Sequence, residues 1–319
     1  MKKVLPIVIS VSLIVAAMVL GLFKGVALSP IQQKTLTILA IICGVSALYC
    51  FIAGELSRNN SQMDKLWSVL PIAYVWIIAA MGEMKWRLII IAIIVTLWGA
   101  RLTYNFAKKG AYSIKFWTGE EDYRWIYLRK QKGFKNKFVW AIFDLLFISI
   151  FQNAVVLAIT FPAVAIMDCS EPLNVFDVLI AVLMVGALLY EVIADRQQNS
   201  FQVKKYEYLN SGMKLEELPE PYNRGFNVTG LWSRSRHPNY IGEQMIWVSL
   251  YLFTISAKVT HFGVFNWSIV GASLLVLIFV GSSRMAEGIS LAKYKEYALY
   301  QRQVFKYLPI RKYKTTPAK

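Results

Sequence analysis

Residues 230–247 read Gly-Leu-Trp-Ser-Arg-Ser-Arg-His-Pro-Asn-Tyr-Ile-Gly-Glu-Gln-Met-Ile-Trp. Two arginines and a histidine stand directly before a proline, and an apolar run carrying a single carboxylate, Glu243, follows it. Proline suits the first turn of a helix, where its missing N–H costs nothing, and Ser233 or Ser235 can cap such a helix. The stretch therefore predicts a helix N-terminus, rich in cations and donors, that leads into a membrane. Helix N-termini of this kind favour anions, phosphates above all.

The membrane half of that reading comes from the rest of the chain. Its 319 residues are 56% hydrophobic and 17% charged, against about 25% charged in soluble domains. Apolar runs of bilayer length recur at about 4–23, 35–54, 66–82, 86–106, 138–167, 174–195, 240–257 and 264–283; the third and seventh are short for a hydrocarbon core of about 30 Å. The first run follows Met1-Lys2-Lys3, lacks a small-residue cleavage site and reads as an uncleaved span. The expected fold is all-α: a polytopic integral membrane helical bundle of about eight transmembrane helices, with seven to ten compatible with the pattern.

A formal net charge of +16 raises the question of nucleic acid. The distribution answers it. Nine lysines and arginines fall in 107–137, seven in 196–239 and nine from Arg284 onward, whereas 168–173 has none and 258–263 has only Lys258. This alternation is the positive-inside pattern. It predicts both termini in the cytoplasm and assigns the charge to topology and anionic lipid, with no nucleic-acid partner. Cys43, Cys50 and Cys169 show neither pairing nor metal spacing, and two histidines are too few for a His/Cys centre, so no metal site is expected.

Along the chain the organisation reads as peripheral N-terminal helices over 1–60, a main membrane domain over 61–310 and a basic tail over 311–319. Two polar loops stand out. Residues 108–137 carry an acidic cluster, Glu120-Glu121-Asp122, and 196–239 carry Leu218-Pro219-Glu220-Pro221, which implies a shaped loop. The stretch 290–308 reads as one basic, aromatic, amphipathic helix.

Ionisable groups inside spans are functional candidates because burying them in lipid costs free energy. Arg101 and Tyr104 end the fourth span. Glu191 and Asp195, four residues apart, share a face at the end of the sixth. Glu243 opens the seventh, and Arg284 and Glu287 end the eighth. On the expected topology all of them lie at the cytoplasmic side, where soluble cofactors are found. Asp144 is also intramembrane, without a partner motif. No Gly-X-Gly-X-X-Gly follows a strand and no phosphate-binding Gly-X-X-X-X-Gly-Lys-Ser/Thr occurs, so a nucleotide would bind among helices.

Gly230-Leu231-Trp232, Arg236-His237-Pro238-Asn239-Tyr240 and Gly242-Glu243 together resemble the C-terminal signature of the steroid 5-alpha-reductase-like membrane superfamily, closest to an uncharacterised bacterial branch. The block is also similar to the Arg-His-Pro-Asn-Tyr segment of sterol C14- and C7-type reductases. Asp64-Lys65-Leu66-Trp67, Arg101-Leu102-Thr103-Tyr104-Asn105, Glu120-Glu121-Asp122-Tyr123-Arg124-Trp125, Ile193-Ala194-Asp195-Arg196-Gln197 and Lys293-Tyr294 with Tyr297 extend the likeness over about 60–310. The resemblance implies a multi-pass protein of the bacterial inner membrane that reduces an activated carbon–carbon double bond in a lipid or steroid-like substrate with NADPH. It implies a cofactor pocket facing the cytoplasm and no obligatory protein partner. It carries cofactor contacts onto Asp195, Asn239 and Glu243, with Arg234, Arg236, His237 and Tyr240 as neighbours; Arg101 and Glu191 join the cofactor-binding candidates by their depth in the expected topology. It puts the catalytic tyrosine and carboxylate at Tyr104 and Asp64. The steroid enzymes' late cytoplasmic histidine has no counterpart after His261, which argues against a steroid.

Two other classes compete. Isoprenylcysteine carboxyl methyltransferases share a similar His-Pro-X-Tyr-X-Gly block, bind S-adenosylmethionine and tend to carry paired glutamates after the last span, where this chain has Glu287-Gly288. A transporter or lipid-binding scaffold is the non-enzymatic reading, against which the one-sided depth of the charges argues, because transporters place theirs near the midplane.

Overall fold

The computed structural model describes residues 26–259 and 264–314; the expected span at 4–23 lies outside them. Helix makes up 72% of the structure. Among the described residues there is no strand, only one isolated parallel bridge, Ser235 with Phe305. The longer elements are α1 (Pro30–Ser57), α2 (Gln62–Leu66), α3 (Val69–Met81), α4 (Trp86–Lys108), α5 (Tyr123–Arg129) and α6 (Lys137–Phe143). A π-helical stretch, Asp144–Phe151, leads from α6 into α7 (Gln152–Ala158) and α8 (Phe161–Ile166). Then come α9 (Val175–Asn210), α10 (Pro238–Ser256), α11 (Ile269–Lys293) and α12 (Tyr297–Gln303).

Five helical stretches are long and apolar enough to cross a membrane: Pro30–Ser57, Trp86–Lys108, Lys137–Ile166, Val175–Asn210 and Ile269–Lys293. They coincide with five of the eight apolar runs and are compatible with a multi-pass membrane protein. The run at 66–82 is different. Its helix, Val69–Met81, has 13 residues, and at about 1.5 Å per residue it reaches only about 20 Å. The stretch 290–308 is not one helix. α11 ends at Lys293, α12 occupies Tyr297–Gln303, and Val304 is extended (φ −111°, ψ 133°). Phe226, Val228, Tyr297, Tyr300, Val304 and Tyr313 form a buried cluster with Tyr294 packed against it.

The chain divides into two compact units: residues 1–181 with 250–274, and 182–249 with 275–319. In the first, α1 starts at a capping box in which Ser29 and Gln32 satisfy each other's backbone N–H, with Pro30 in the first turn. Asp122 caps α5 and Asn136 caps α6. Trp98, Tyr74, Leu39, Ile78, Ile91 and Ile148 are fully buried. Arg87 donates Nε and Nη2 to the two Asp177 oxygens at 2.9 and 2.7 Å, a buried bidentate pair. Asp144 is buried. It accepts from Asn60 Nδ2 at 2.8 Å and Ser149 Oγ at 3.3 Å, so the intramembrane carboxyl without a sequence partner is internally satisfied.

In the second unit Trp232 donates Nε1 to the Ala194 carbonyl at 2.9 Å, and Gln197 Oε1 accepts from Leu231 N at 2.8 Å. Gly230 (φ 56°) lies so near Gln197 that a Cβ would stand 2.4 Å from Oε1. A Cβ on Gly242 would meet Glu191 Cβ at 2.7 Å and its backbone at 3.1 Å, so α10 touches the Glu191 turn of α9 through a bare backbone.

Candidate functional site

The Arg-X-Arg-His-Pro stretch does two jobs in the second unit. Its backbone pairs with the C-terminal segment: Arg236 N donates to Phe305 O at 3.1 Å, His237 N to Lys306 O at 3.0 Å and Tyr313 N to Ser233 O at 2.7 Å. Tyr300 donates its hydroxyl to the Trp232 and Ser235 carbonyls. Burial holds that phenol well above its ordinary pKa, so it stays a donor. Ser235, expected as a cap, instead accepts from His237 N at 3.3 Å and donates to Lys306 O at 3.3 Å.

Its side chains meet a carboxylate that comes from fifty residues further on. Glu287, buried on α11, accepts from Arg236 Nε at 2.8 Å and faces His237 Nε2 at 3.0 Å, both on Oε1. Gln301 Nε2 donates to Oε2 at 2.9 Å, and Lys306 Nζ stands 3.9 Å from it. Arg236 Nη1 donates to the Gln301 and Val304 carbonyls at 3.0 and 2.5 Å. The guanidinium expected to meet a cofactor is thus engaged by the protein's own C-terminal segment. His237 stacks on Tyr240 (centroids 5.0 Å apart, 23° between planes), and Tyr240 packs on Phe279 at 4.6 Å. Burial pushes the His237 imidazole below its usual pKa, with the Glu287 hydrogen bond opposing.

The remaining block residues point to α9. Asn239 Nδ2 donates to Asp195 Oδ1 at 3.1 Å. Asn239 Oδ1, Gln198 Oε1 and the Tyr190 hydroxyl are buried atoms without a hydrogen-bond partner among the described residues. Such atoms are costly unless a ligand or water satisfies them. Glu191, Asp195 and Gln198 follow the i, i+4, i+7 spacing of one helix face. Arg196 and Arg234, each two residues from the Trp232–Ala194 contact, are exposed. Glu243 is buried in the second turn of α10.

The other expected site residues belong to the first unit. Asp64, on α2, accepts from Trp125 Nε1 at 2.7 Å and from Arg124 Nη2 at 3.2 Å. Burial raises its pKa against the pull of the Arg124 charge. Tyr104, on α4, is 60% exposed, with Lys108 Nζ over its ring at 4.9 Å. Arg101 lies one turn earlier on α4, half-buried. The structure therefore joins Arg236, His237 and Tyr240 in one cluster and Asn239 and Asp195 in another, while Tyr104 and Asp64 have separate sets of partners. Glu287, Gln198 and Tyr190 enter the site without having been singled out for it. The available signal for Glu287 was its place as a carboxylate inside a span; nothing in the sequence names His237 as its partner.

Among the described residues no three His, Cys, Asp or Glu side chains gather as for a metal ion. The sequence matches the family described as "Protein of unknown function (DUF1295)" over residues 50–304. The chain belongs to that family, which is related to the steroid 5-alpha-reductase-like membrane proteins. It is 34% identical over 285 residues to an uncharacterized protein of Schizosaccharomyces pombe, an alignment that covers 83% of this chain and 79% of the yeast protein. No solved structure matches it.

Proposed function

We propose that the protein is a membrane-embedded reductase that uses NADPH to saturate an activated carbon–carbon double bond in a lipid-like substrate, with its cofactor site facing the cytoplasm of a bacterium. The reading rests on the Asp195–Asn239 hydrogen bond. It joins the two stretches, Ile-Ala-Asp-Arg-Gln and Arg-His-Pro-Asn-Tyr, that by resemblance contact the cofactor. The buried, unpartnered atoms of Asn239, Gln198 and Tyr190 suit a ligand bearing hydroxyl and amide groups, and exposed Arg196 and Arg234 suit its phosphates.

NADPH, when bound, supplies the hydride. The chain's part is to hold and to protonate. Asp195 fixes the Asn239 amide so that Oδ1 is left as an acceptor. Glu243 remains a contact that the resemblance implies, and Glu191 and Arg101 remain candidates from their places at the ends of their spans. Tyr104 and Asp64 are the proposed acids: a phenol or a carboxyl group of raised pKa can donate to an oxyanion that develops only in the transition state.

The S-adenosylmethionine alternative keeps one observation of its own. Glu287, where the methyltransferases tend to carry paired glutamates, touches the His-Pro block. Parallel fluorescence titrations of detergent-purified protein with NADPH and S-adenosylmethionine separate the two. NADPH binding is expected, weakened about tenfold or more by Asn239→Ala. Binding of S-adenosylmethionine alone would replace this reading with the methyltransferase one, and binding of neither would leave a lipid-binding or transport protein.

A further inference from the structure

We propose that His237 is a neutral hydrogen-bond acceptor, offering Nδ1 to a hydroxyl or amide N–H of the bound ligand, and that Glu287 is the positioning residue that holds the ring's proton on Nε2. The choice of NADPH as that ligand rests on the reductase reading; the rest stands on the geometry of the second unit.

Glu287 Oε1 lies 3.0 Å from His237 Nε2. An ionised carboxylate only accepts, so Nε2 carries the proton, and in a neutral ring Nδ1 then keeps its lone pair. The charges around the ring decide its protonation. The same oxygen already takes Arg236 Nε at 2.8 Å, and Lys306 Nζ stands 3.9 Å from the other oxygen. One carboxylate thus already faces two basic side chains, and an imidazolium would be a third cationic group in a buried setting. His237 also directly precedes Pro238, the first residue of α10, where the positive end of the helix disfavours another cation. The neighbouring rings, Tyr240 and Tyr307, bring no charge at neutral pH. Nδ1 has no partner among the described residues, and the side chain retains 8% exposure, so the ring is not sealed.

The consequence is a change in what the block recognises. Three basic residues before a proline read as an anion cradle. In the fold Arg236 is neutralised by Glu287, His237 is uncharged, and Arg234 alone of the three is left exposed for a phosphate. His237 selects a donor group instead.

The chain has two histidines, so His261→Gln leaves one imidazole to observe. In that protein, labelled with 15N-histidine in detergent, we expect a proton on Nε2 and a bare Nδ1 from about pH 6.5 to about pH 8. An imidazolium at neutral pH, or a proton on Nδ1, overturns the proposal. Glu287→Gln keeps a carbonyl acceptor and removes the charge. It should retain the Nε2–H tautomer and move the ring's protonation midpoint to lower pH, and an unmoved midpoint overturns the role of Glu287. On saturation with NADPH the Nδ1 resonance should shift as for an accepted hydrogen bond. NADPH binding seen by fluorescence with Nδ1 unmoved overturns the acceptor role. If NADPH does not bind, the reductase reading fails by itself, and the same titration with S-adenosylmethionine decides the acceptor role: a shift upholds it, no shift overturns it.

Discussion

Each unit contains a short polar segment that fixes a distant piece of chain through backbone carbonyls, and each does so with a basic side chain. In the first unit Lys65 donates Nζ to the Phe116 and Thr118 carbonyls, both at 2.6 Å, while Gln62 and Asn59 donate to the Trp117 and Gly119 carbonyls. In the second, Arg236 holds the Gln301 and Val304 carbonyls. The difference lies in the counter-charge. Arg236 stays charged under all ordinary conditions and has Glu287 against it. Lys65 has carbonyls and an amide, and burial lowers its pKa, with the Asp64 charge opposing. A lysine can give up its proton in such a place and an arginine cannot, so of these two side chains only Arg236 needs a carboxylate beside it.

Glu287→Ala breaks that arrangement most severely. It leaves Arg236 buried without a counter-charge, and the expected loss is about 3–5 kcal/mol. Chemical denaturation in detergent measures it, and limited proteolysis should show cleavage within 297–313 first. Lys65→Met removes three hydrogen bonds, one of them long, but strands no charge, so about 1–3 kcal/mol should be lost, with protease sensitivity confined to 111–122. Equal losses for the two variants would erase the proposed distinction. Gly242→Ala is expected to cost about 1–3 kcal/mol through overpacking against Glu191; an unchanged midpoint would mean that the α9 turn yields to a methyl group.

The smallest effect is a divergence with pH. His237 has a folded pKa below its unfolded value of about 6.5, set by burial with Glu287 opposing. Its contribution is full above about pH 6.5 and is lost as the pH falls through the folded value. Asp64 has a raised folded pKa from burial, with Arg124 opposing, so its contribution is full below about pH 3.9 and is lost as the pH rises through the folded value. Mild acidification should therefore speed amide exchange in 230–238 before 58–68, and the reverse order would contradict the assignment.

Much of this was legible in the sequence. The apolar runs at 35–54, 86–106, 138–167, 174–195 and 264–283 each overlap a long helical stretch, because twenty consecutive apolar residues have few other solutions. The block at 230–247 does begin a helix at Pro238. What could not be read was pairing. Nothing in the periodicity says that Glu287 faces His237, that Asn60 satisfies Asp144, or that Lys65 reaches two carbonyls fifty residues away, because such contacts depend on how segments remote in sequence pack. The packing of Phe226 against Tyr297 and Tyr300, some seventy residues downstream, was hidden for the same reason.

One feature of the second unit mirrors Lys65. Lys205 is buried, donates to the Gly225 carbonyl at 3.0 Å, and has the rings of Phe201, Tyr206 and Tyr294 within 6 Å of its Nζ. Among the described residues each unit thus encloses one buried lysine amine that an acylating reagent cannot reach while the surrounding chain is intact. Mass-spectrometric footprinting of these two lysines against the many exposed ones would time the opening of each unit separately, without a label, a ligand or an assay of activity.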